Sequence, residues 1–387
     1  MKEIQLMNKI AKVGTDVFDR SEYAVGDNFA DPDAIMVRSA ALHDTEFSAN
    51  LKAIARCGAG VNNIPIERCS KQGIVVFNTP GANANGVKEL AVCALLLAAR
   101  NVVGGIEWAK TLEGTEGVAK AVEAGKSKFA GGELLGKTLG VVGLGAIGGM
   151  VANAAVALGM KVEGYDPYPS VEAAWSISSS VKKAASYEDI YKNADYITLH
   201  VPATPTTKNM ICAESIAMMK DGVKIINLSR ADLVNAADIK AALESGKVSA
   251  YVTDFPTEEV LEMPGVVAIP HLGASSAEAE DNCAVMAAVQ LDDYLRYGNI
   301  KNSVNFPNVS MPVVSGHKRI CVLHANVPAV ISGITTALSE SGANIENMIN
   351  KSKGDNAYTL VDFTGELSAA AEEKLSAIAG VVKVRII

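Results

Sequence analysis

The sequence has no C-x-x-C pair, no apolar run long enough to cross a bilayer, no low-complexity tract and no excess of positive charge. Each absence removes a class of function. Its 35 Lys and Arg residues are outweighed by 43 Asp and Glu, a formal net charge of −8, which argues against nucleic acid or an anionic membrane as the main partner. Small anionic substrates remain open, since they need only local cations. The longest apolar run, residues 90–99, lies between Glu89 and Arg100. That is about half of the ~20 residues a membrane span needs, so a buried or interface helix is expected there. The opening MKEIQLMNKI shows no signal-peptide pattern. Six scattered cysteines (Cys57, Cys69, Cys93, Cys212, Cys283 and Cys321) are expected to be reduced thiols of a cytoplasmic protein. A chain of 387 residues has room for two or three domains and does not need disulfides. No metal site is expected.

The densest signal is residues 138–166, TLGVVGLGAIGGMVANAAVALGMKVEGYD. An apolar run suited to a buried strand precedes Gly143, Gly145 and Gly148, which form G-x-G-x-x-G. Ala152, Ala155, Ala157 and Leu158 follow on a small-residue helix. The three glycines suit a tight turn, close approach to a pyrophosphate and close helix–sheet packing. The helix start, with Ala146 and Ile147, offers unpaired N–H groups to phosphates. Asp166 ends the next strand about twenty residues on, where a carboxylate accepts from the adenosine ribose hydroxyls. It repels a 2′-phosphate, and Pro167, Tyr168 and Pro169 follow it with no arginine, so NAD is expected over NADP.

Around this stretch the chain reads as α/β. Strands are expected at 34–38, 51–57 and 74–78, a long helix over 87–110 and an irregular segment over 111–137. Six strands, at 139–142, 161–165, 196–201, 224–228, 248–253 and 266–269, alternate with helices as in a doubly wound Rossmann-type sheet. A helix is expected over 275–297, and residues 298–316 are rich in Asn, Pro, Ser and Gly. Residues 317–387 read βαββαβ, a ferredoxin-like sandwich.

Ligands of an open α/β sheet sit at the carboxyl ends of its strands. Those ends carry His200-Val201-Pro202 and then Thr207, Ser229-Arg230, Asp254 and Glu258, and His271. An arginine, an acid and a histidine beside a dinucleotide suit hydride transfer. The cation holds a carboxylate next to a carbonyl, the imidazole exchanges the hydroxyl proton, and the acid orients the imidazole.

With RCGAGVNNI (56–64), FNTPGANANGVKELAV (77–92), HVPATPTT (200–207), NLSRAD (227–232), FPTEE (255–259) and PHLGAS (270–275), the chain resembles the D-isomer-specific 2-hydroxyacid dehydrogenases over roughly residues 1–306. The resemblance implies a smaller flavodoxin-like substrate-binding domain (1–86 and 272–306). It also implies an inserted NAD-binding domain (87–271), with the active site in the cleft between them. A linker (307–316) and an ACT-like regulatory domain (317–387) would follow. By position, Arg230, Glu258 and His271 resemble the catalytic set. Gly143, Gly145, Ala146, Ile147, Gly148, Asp166, His200, Val201, Pro202, Thr207, Ser229 and Asp254 would line the cofactor. Arg38 and Ser39 match the pair that meets a substrate phosphate. Ala59, Gly60, Asn83 and Asn85 would complete the substrate pocket. Glu259 stands next to Glu258 where the family often has proline. Thr253 stands where many relatives have the acid that meets the nicotinamide carboxamide, and Asp254 follows it. In the tail, His324, Asn326 and Asn344 fall where relatives contact L-serine, but Ala329 replaces the usual glycine of the Asn-x-Pro-Gly turn.

The expected reaction is NAD-dependent oxidation of 3-phospho-D-glycerate to 3-phosphohydroxypyruvate, the first step of L-serine biosynthesis, in a homodimer or homotetramer. The alternative within the class is a hydroxypyruvate or glyoxylate reductase, or another D-2-hydroxyacid dehydrogenase. Outside it stands a non-enzymatic NAD-sensing binding protein.

Overall fold

The computed structural model describes residues 1–367 and 369–387, and all of their side chains except those of Glu172 and Ala369. The chain forms two compact units, residues 1–82 with 280–387 (unit 1) and residues 83–279 (unit 2).

Unit 1 opens with five parallel strands, β1 (Lys2–Met7), β2 (Tyr23–Gly26), β3 (Ala34–Val37), β4 (Ala53–Arg56) and β5 (Val75–Phe77), in the order β2-β1-β3-β4-β5. This is the flavodoxin-like order. All four residues of β3 are buried, as in a parallel strand covered on both faces.

Unit 2 holds seven parallel strands: β6 (Thr138–Val142), β7 (Lys161–Tyr165), β8 (Lys182–Lys183), β9 (Tyr196–Leu199), β10 (Val223–Asn227), β11 (Val248–Thr253) and β12 (Val266–Ala268). Their order, β12-β11-β10-β9-β6-β7-β8, is that of a doubly wound sheet with its reversal between β6 and β9. The two-residue β8 escaped the sequence pattern because it is too short to show any period. The helix expected over 87–110 is two helices, Ala84–Ala99 and Val102–Lys110, bent by 71°. Arg100 is extended between them, and the Asn101 side chain caps the second helix by accepting from Gly104 N–H at 3.1 Å. A helix, Val118–Gly125, also stands in the segment expected to be irregular. Among the described residues no single helix is long and apolar enough to cross a membrane.

The tail adds four antiparallel strands to unit 1: β13 (Lys318–Ala325), β14 (Asn344–Lys353), β15 (Asn356–Thr364) and β16 (Val381–Ile386), ordered β14-β15-β13-β16. Helices Val330–Glu340 and Ala369–Ala377 complete the βαββαβ order. One face of this sheet shares a core with the rest of unit 1. Cys321, Leu323, Tyr358 and Leu360 are buried with Leu291, Tyr294 and Leu295 of helix Ala277–Tyr297, and with Phe306, Val309 and Met311. Three cations, the buried Arg319 and the half-buried Lys383 and Arg385, reinforce the junction. Arg319 is paired with Asp362 and donates to the carbonyls of Tyr297 and Pro312 (2.8 and 2.7 Å). Arg385 lies 4.6 Å from the centre of the Tyr294 ring, and Lys383 donates to the carbonyls of Ala49 and Leu51 (3.2 and 2.7 Å). Residues 307–316 are tied in as well: Val309 bridges to Ile300, and Met311 N–H donates to Asn299 Oδ1.

Candidate active site

The sheet reversal of unit 2 places Gly143, after β6, beside His200, after β9. Gly143 has φ +88°, and a Cβ there would lie 2.5 Å from the His200 carbonyl. Gly148 packs so closely that a Cβ would meet the Gly143 carbonyl at 1.9 Å. Gly145, at the start of helix Ala146–Ala157, faces open space instead, with nothing within 4 Å of a Cβ. Its helix has no side-chain cap, so the first-turn N–H groups, Ala146 and Ile147 among them, stay open. Asp166 is aimed at this turn: Oδ2 accepts from Leu144 N–H (2.9 Å) and Oδ1 from Tyr168 N–H (2.8 Å). An open helix terminus, a cradle that a side chain would fill and an oriented carboxylate together fit an adenine dinucleotide.

The flanking loops are built to hold shape. Thr207 Oγ1 donates to the Pro202 carbonyl (2.6 Å) and accepts from Thr204 N–H, bracing the exposed Pro202 and half-buried Val201. Ser229 Oγ donates to the Leu199 carbonyl (2.6 Å), tying the end of β10 to β9. Burial drives the His200 imidazole down to about 4, so it is neutral at ordinary pH. Its Nε2 pairs with Thr198 Oγ1, and its Nδ1 is buried without a partner among the described residues.

Three further candidates follow the ends of β10, β11 and β12. Arg230 is exposed, in a loop held by the wholly buried Asn227, whose Nδ2 donates to the Arg230 carbonyl (2.9 Å). His271 is exposed and stands edge-on to Phe255, ring centres 5.0 Å apart. Asp254 is 1% exposed. Burial pushes its carboxyl above the usual range, while the charges of His271 and then Arg230 pull it back. Glu258 and Glu259 lie exposed in the first turn of helix Glu258–Leu261, capped by Thr257, and Glu258 makes no hydrogen bond or ion pair among the described residues. Asn83 and Asn85 belong to unit 2, where Asn85 donates to Glu89.

The other substrate candidates lie in unit 1, at the carboxyl ends of β3 and β4. Arg38 is half-buried and paired with Glu280. The Ser39 and Ala40 N–H groups both donate to Asn8 Oδ1, and the Ala59 carbonyl accepts from Asn78. Gly60 is half-exposed beside Ala59. Sequence reading passed over Arg56, whose Nε donates to the Arg38 carbonyl (3.1 Å), which brings a second guanidinium to Arg38. It also passed over Asn227. Each ends an apolar strand in a polar residue, and that was the available signal.

In the tail, His324 is 3% exposed, with Nδ1 on the Ala325 carbonyl and Nε2 on Thr359 and Asn350. Asn326 donates to the Gly354 carbonyl, and Asn344 to Glu346. Ala329 adopts φ +69°, the conformation its glycine-free turn demands.

The NAD-binding domain of the D-isomer-specific 2-hydroxyacid dehydrogenases matches residues 93–273. The chain belongs to that family and carries its NAD-binding domain. It is similar to D-3-phosphoglycerate dehydrogenase of Escherichia coli, 32% identical over 352 residues that cover 87% of this chain and 82% of that one. It is also similar to D-3-phosphoglycerate dehydrogenase of Methanocaldococcus jannaschii, 38% identical over 288 residues covering 72% of this chain. The match spans only 53% of that archaeal protein's length. Among solved structures, NAD+-bound 3-phosphoglycerate dehydrogenase of Entamoeba histolytica aligns with a TM-score of 0.60 at 27% identity, covering 79% of this chain and 98% of that one.

Proposed function

We propose that the chain oxidises 3-phospho-D-glycerate to 3-phosphohydroxypyruvate with NAD, the step that opens L-serine biosynthesis. The observation that carries this reading is that Arg230, Asp254 and His271 follow the ends of β10, β11 and β12, adjacent strands of the sheet that bears the dinucleotide fingerprint. Bound nicotinamide supplies the hydride acceptor for the substrate's C2. The chain's own groups do the rest. Arg230 holds the substrate carboxylate by its charge. His271 takes the C2 hydroxyl proton as general base and returns it in the reverse direction. Glu258 is the outer acid proposed to orient that imidazole. Arg38, with Ser39, is proposed to meet the phosphate, and the N–H groups near Ala59 and Gly60 the carboxylate. Asn83 and Asn85 are proposed to line the same pocket.

Asp166 supports preference for NAD over NADP, because its fixed carboxylate repels a 2′-phosphate. Comparable efficiency with NADP would refute that. One observation favours a second reading. Arg38 is engaged by Glu280, as it could be in an enzyme for unphosphorylated hydroxypyruvate or glyoxylate. The deciding experiment is a substrate panel at fixed NAD, comparing 3-phosphoglycerate with lactate, glycerate and 2-hydroxyglutarate. Preference for the phosphorylated acid supports the first reading, and its absence demotes Arg38. NADH formation separates both from an NAD sensor. His271→Ala should cut turnover by roughly 10²–10⁴-fold while NADH still binds.

The domain roles are proposed with the function: substrate binding by residues 1–86 and 272–306, cofactor binding by 87–271, linkage by 307–316 and regulation by 317–387. A cytoplasmic homodimer or homotetramer is the proposed working form. L-Serine is the proposed effector of the ACT-like tail. His324, Asn326 and Asn344 are the residues proposed to contact it. Isothermal titration with L-serine that gives no heat removes the effector.

A further inference from the structure

The hairpin end of β14 and the 302–308 segment enclose a cleft of about 690 Å³, wholly within unit 1. That volume is in the range of small-molecule sites. Lys351 and Lys353 alternate along β14, so they share one face of the strand. Lys353 Nζ donates to the Ser303 carbonyl (2.8 Å), and Asn356 on the paired strand donates to the Asn305 carbonyl (2.9 Å). These two bonds clamp the hairpin to the segment. Lys351 makes no hydrogen bond or ion pair among the described residues. Two other lysines of the tail have acids beside them, Lys318 with Glu366 and Lys374 with Glu340. Here two ammonium groups face one cleft, and among the described residues no acid lines it. The polar wall opposite is fixed from behind. Asn78 N–H donates to the Asn302 carbonyl (3.3 Å), its side chain donates to the Ala59 carbonyl (2.7 Å), and the buried Gln290 donates to the Asn78 carbonyl (3.1 Å). Asn302 holds φ +58°, a left-handed conformation that asparagine tolerates better than most side chains. Its side-chain amide, like that of Asn308, has no partner among the described residues. Phe306 and Pro307 add an apolar side.

We propose that this cleft binds a small polycarboxylate, held by Lys351 and Lys353 and by the amides of Asn302 and Asn308. Two like charges on one strand face repel each other, and an anion lying between them removes that repulsion. Alternate residues of a strand stand roughly 6.5–7 Å apart. Carboxylates separated by a short carbon chain match that spacing, whereas the oxygens of a single phosphate are too close together to reach both lysines equally well. The clamped hairpin and the fixed Asn78–Asn302 wall are already ordered, so little further entropy is lost on binding. Asn78 also holds the Ala59 carbonyl, which joins this cleft to the loop proposed to meet the substrate carboxylate. The inference goes beyond the dehydrogenase reading and does not depend on it.

The test is isothermal titration calorimetry of the full chain with citrate, and with inorganic phosphate for comparison. Citrate is expected to bind, more tightly than phosphate, with an affinity that falls as salt is added. Lys351→Gln breaks no contact of the fold, so its melting midpoint and NADH fluorescence should match the wild type. Its citrate affinity should fall roughly 10–100-fold, the loss of one charged hydrogen bond. Asn302→Gly keeps the left-handed turn, removes one amide and should also weaken citrate. Arg230→Ala controls for anion binding beside the cofactor sheet, and the citrate heat should survive it. A wild type that gives no heat with citrate overturns the proposal. So does phosphate binding as tightly as citrate, or a citrate affinity that falls in Arg230→Ala and not in Lys351→Gln. The titrations need no turnover, so a wild-type protein inactive on every 2-hydroxy acid would sink the dehydrogenase reading and leave this measurement standing.

Discussion

The fingerprint glycines make opposite demands, and a pair of alanine substitutions separates them. Gly148→Ala places a methyl group 1.9 Å from the Gly143 carbonyl and 3.3 Å from the His200 Cβ, whereas ordinary contact begins at 3.4 Å. Neither obstacle is a flexible side-chain tip. The first is the backbone of the glycine turn, pinned by Gly143 N–H donating to the Tyr165 carbonyl (2.8 Å). Helix Ala146–Ala157 must therefore retreat from the sheet it covers with Val151, Ala152 and Ala155. Overpacking against fixed backbone costs about 3 kcal/mol, the upper end of the usual range. For a unit of this size that lowers the melting midpoint by roughly 6–12 °C. Gly145→Ala meets nothing within 4 Å, and the position has φ −72°, which alanine adopts freely. Its stability should stay within about 0.5 kcal/mol of wild type. Its methyl group instead stands at the uncapped helix terminus, where a pyrophosphate would approach. NADH affinity should fall about 100-fold, ~2.7 kcal/mol. Calorimetry and NADH fluorescence on both variants read the two effects. A Gly148→Ala protein that melts with the wild type refutes the packing argument. A Gly145→Ala protein that binds NADH normally refutes the placement of the phosphates.

Three further outcomes follow from the same contacts. Asp362→Ala leaves Arg319 buried without its partner and should cost about 3–5 kcal/mol in chemical denaturation of the full chain. Burial, with the charges of Lys52 and Arg385, brings Lys383 down from 10.5 to about 8. Between those values the unfolded chain binds the proton that the folded chain releases. Stability of the wild type relative to Lys383→Met should therefore rise as pH climbs through that window, and a constant difference would refute the burial of its charge. Ala329→Gly relieves an alanine held at φ +69° and should stabilise the tail by about 1 kcal/mol, read as a higher melting midpoint.

Much of the fold could be read directly because its signals are local. Short apolar strands ended by polar clusters, a glycine turn before a small-residue helix and an acid at the next strand end are each complete within thirty residues. The doubly wound sheet follows from them by rules of connection alone. The break at Arg100–Asn101 was less visible, since the apolar period runs through it and only the Asn101 cap betrays it. The strands β1 and β2 were missed because both are mostly half-buried, β1 carries Glu3 and Gln5 on one face, and β2 is only four residues long.

The sequence by itself determined the dinucleotide turn, the acid at the end of the next strand and the order in which Arg230, Asp254, Glu258 and His271 follow their strands. Spacing along the chain is sufficient for these, because each is set by one strand and the turn after it. Only the tertiary structure decided which carboxylate lies inside. Asp254 and Glu258 are four residues apart, and nothing local distinguishes them until the Thr253 turn and the loop above Gly273 bury one and leave the other in water. It also decided that the tail shares a core with β1–β5 and helix Ala277–Tyr297, through Arg385 over Tyr294 and Lys383 on the 49–51 carbonyls. Those contacts join residues that are up to 334 positions apart, and burial at that separation depends on the whole fold.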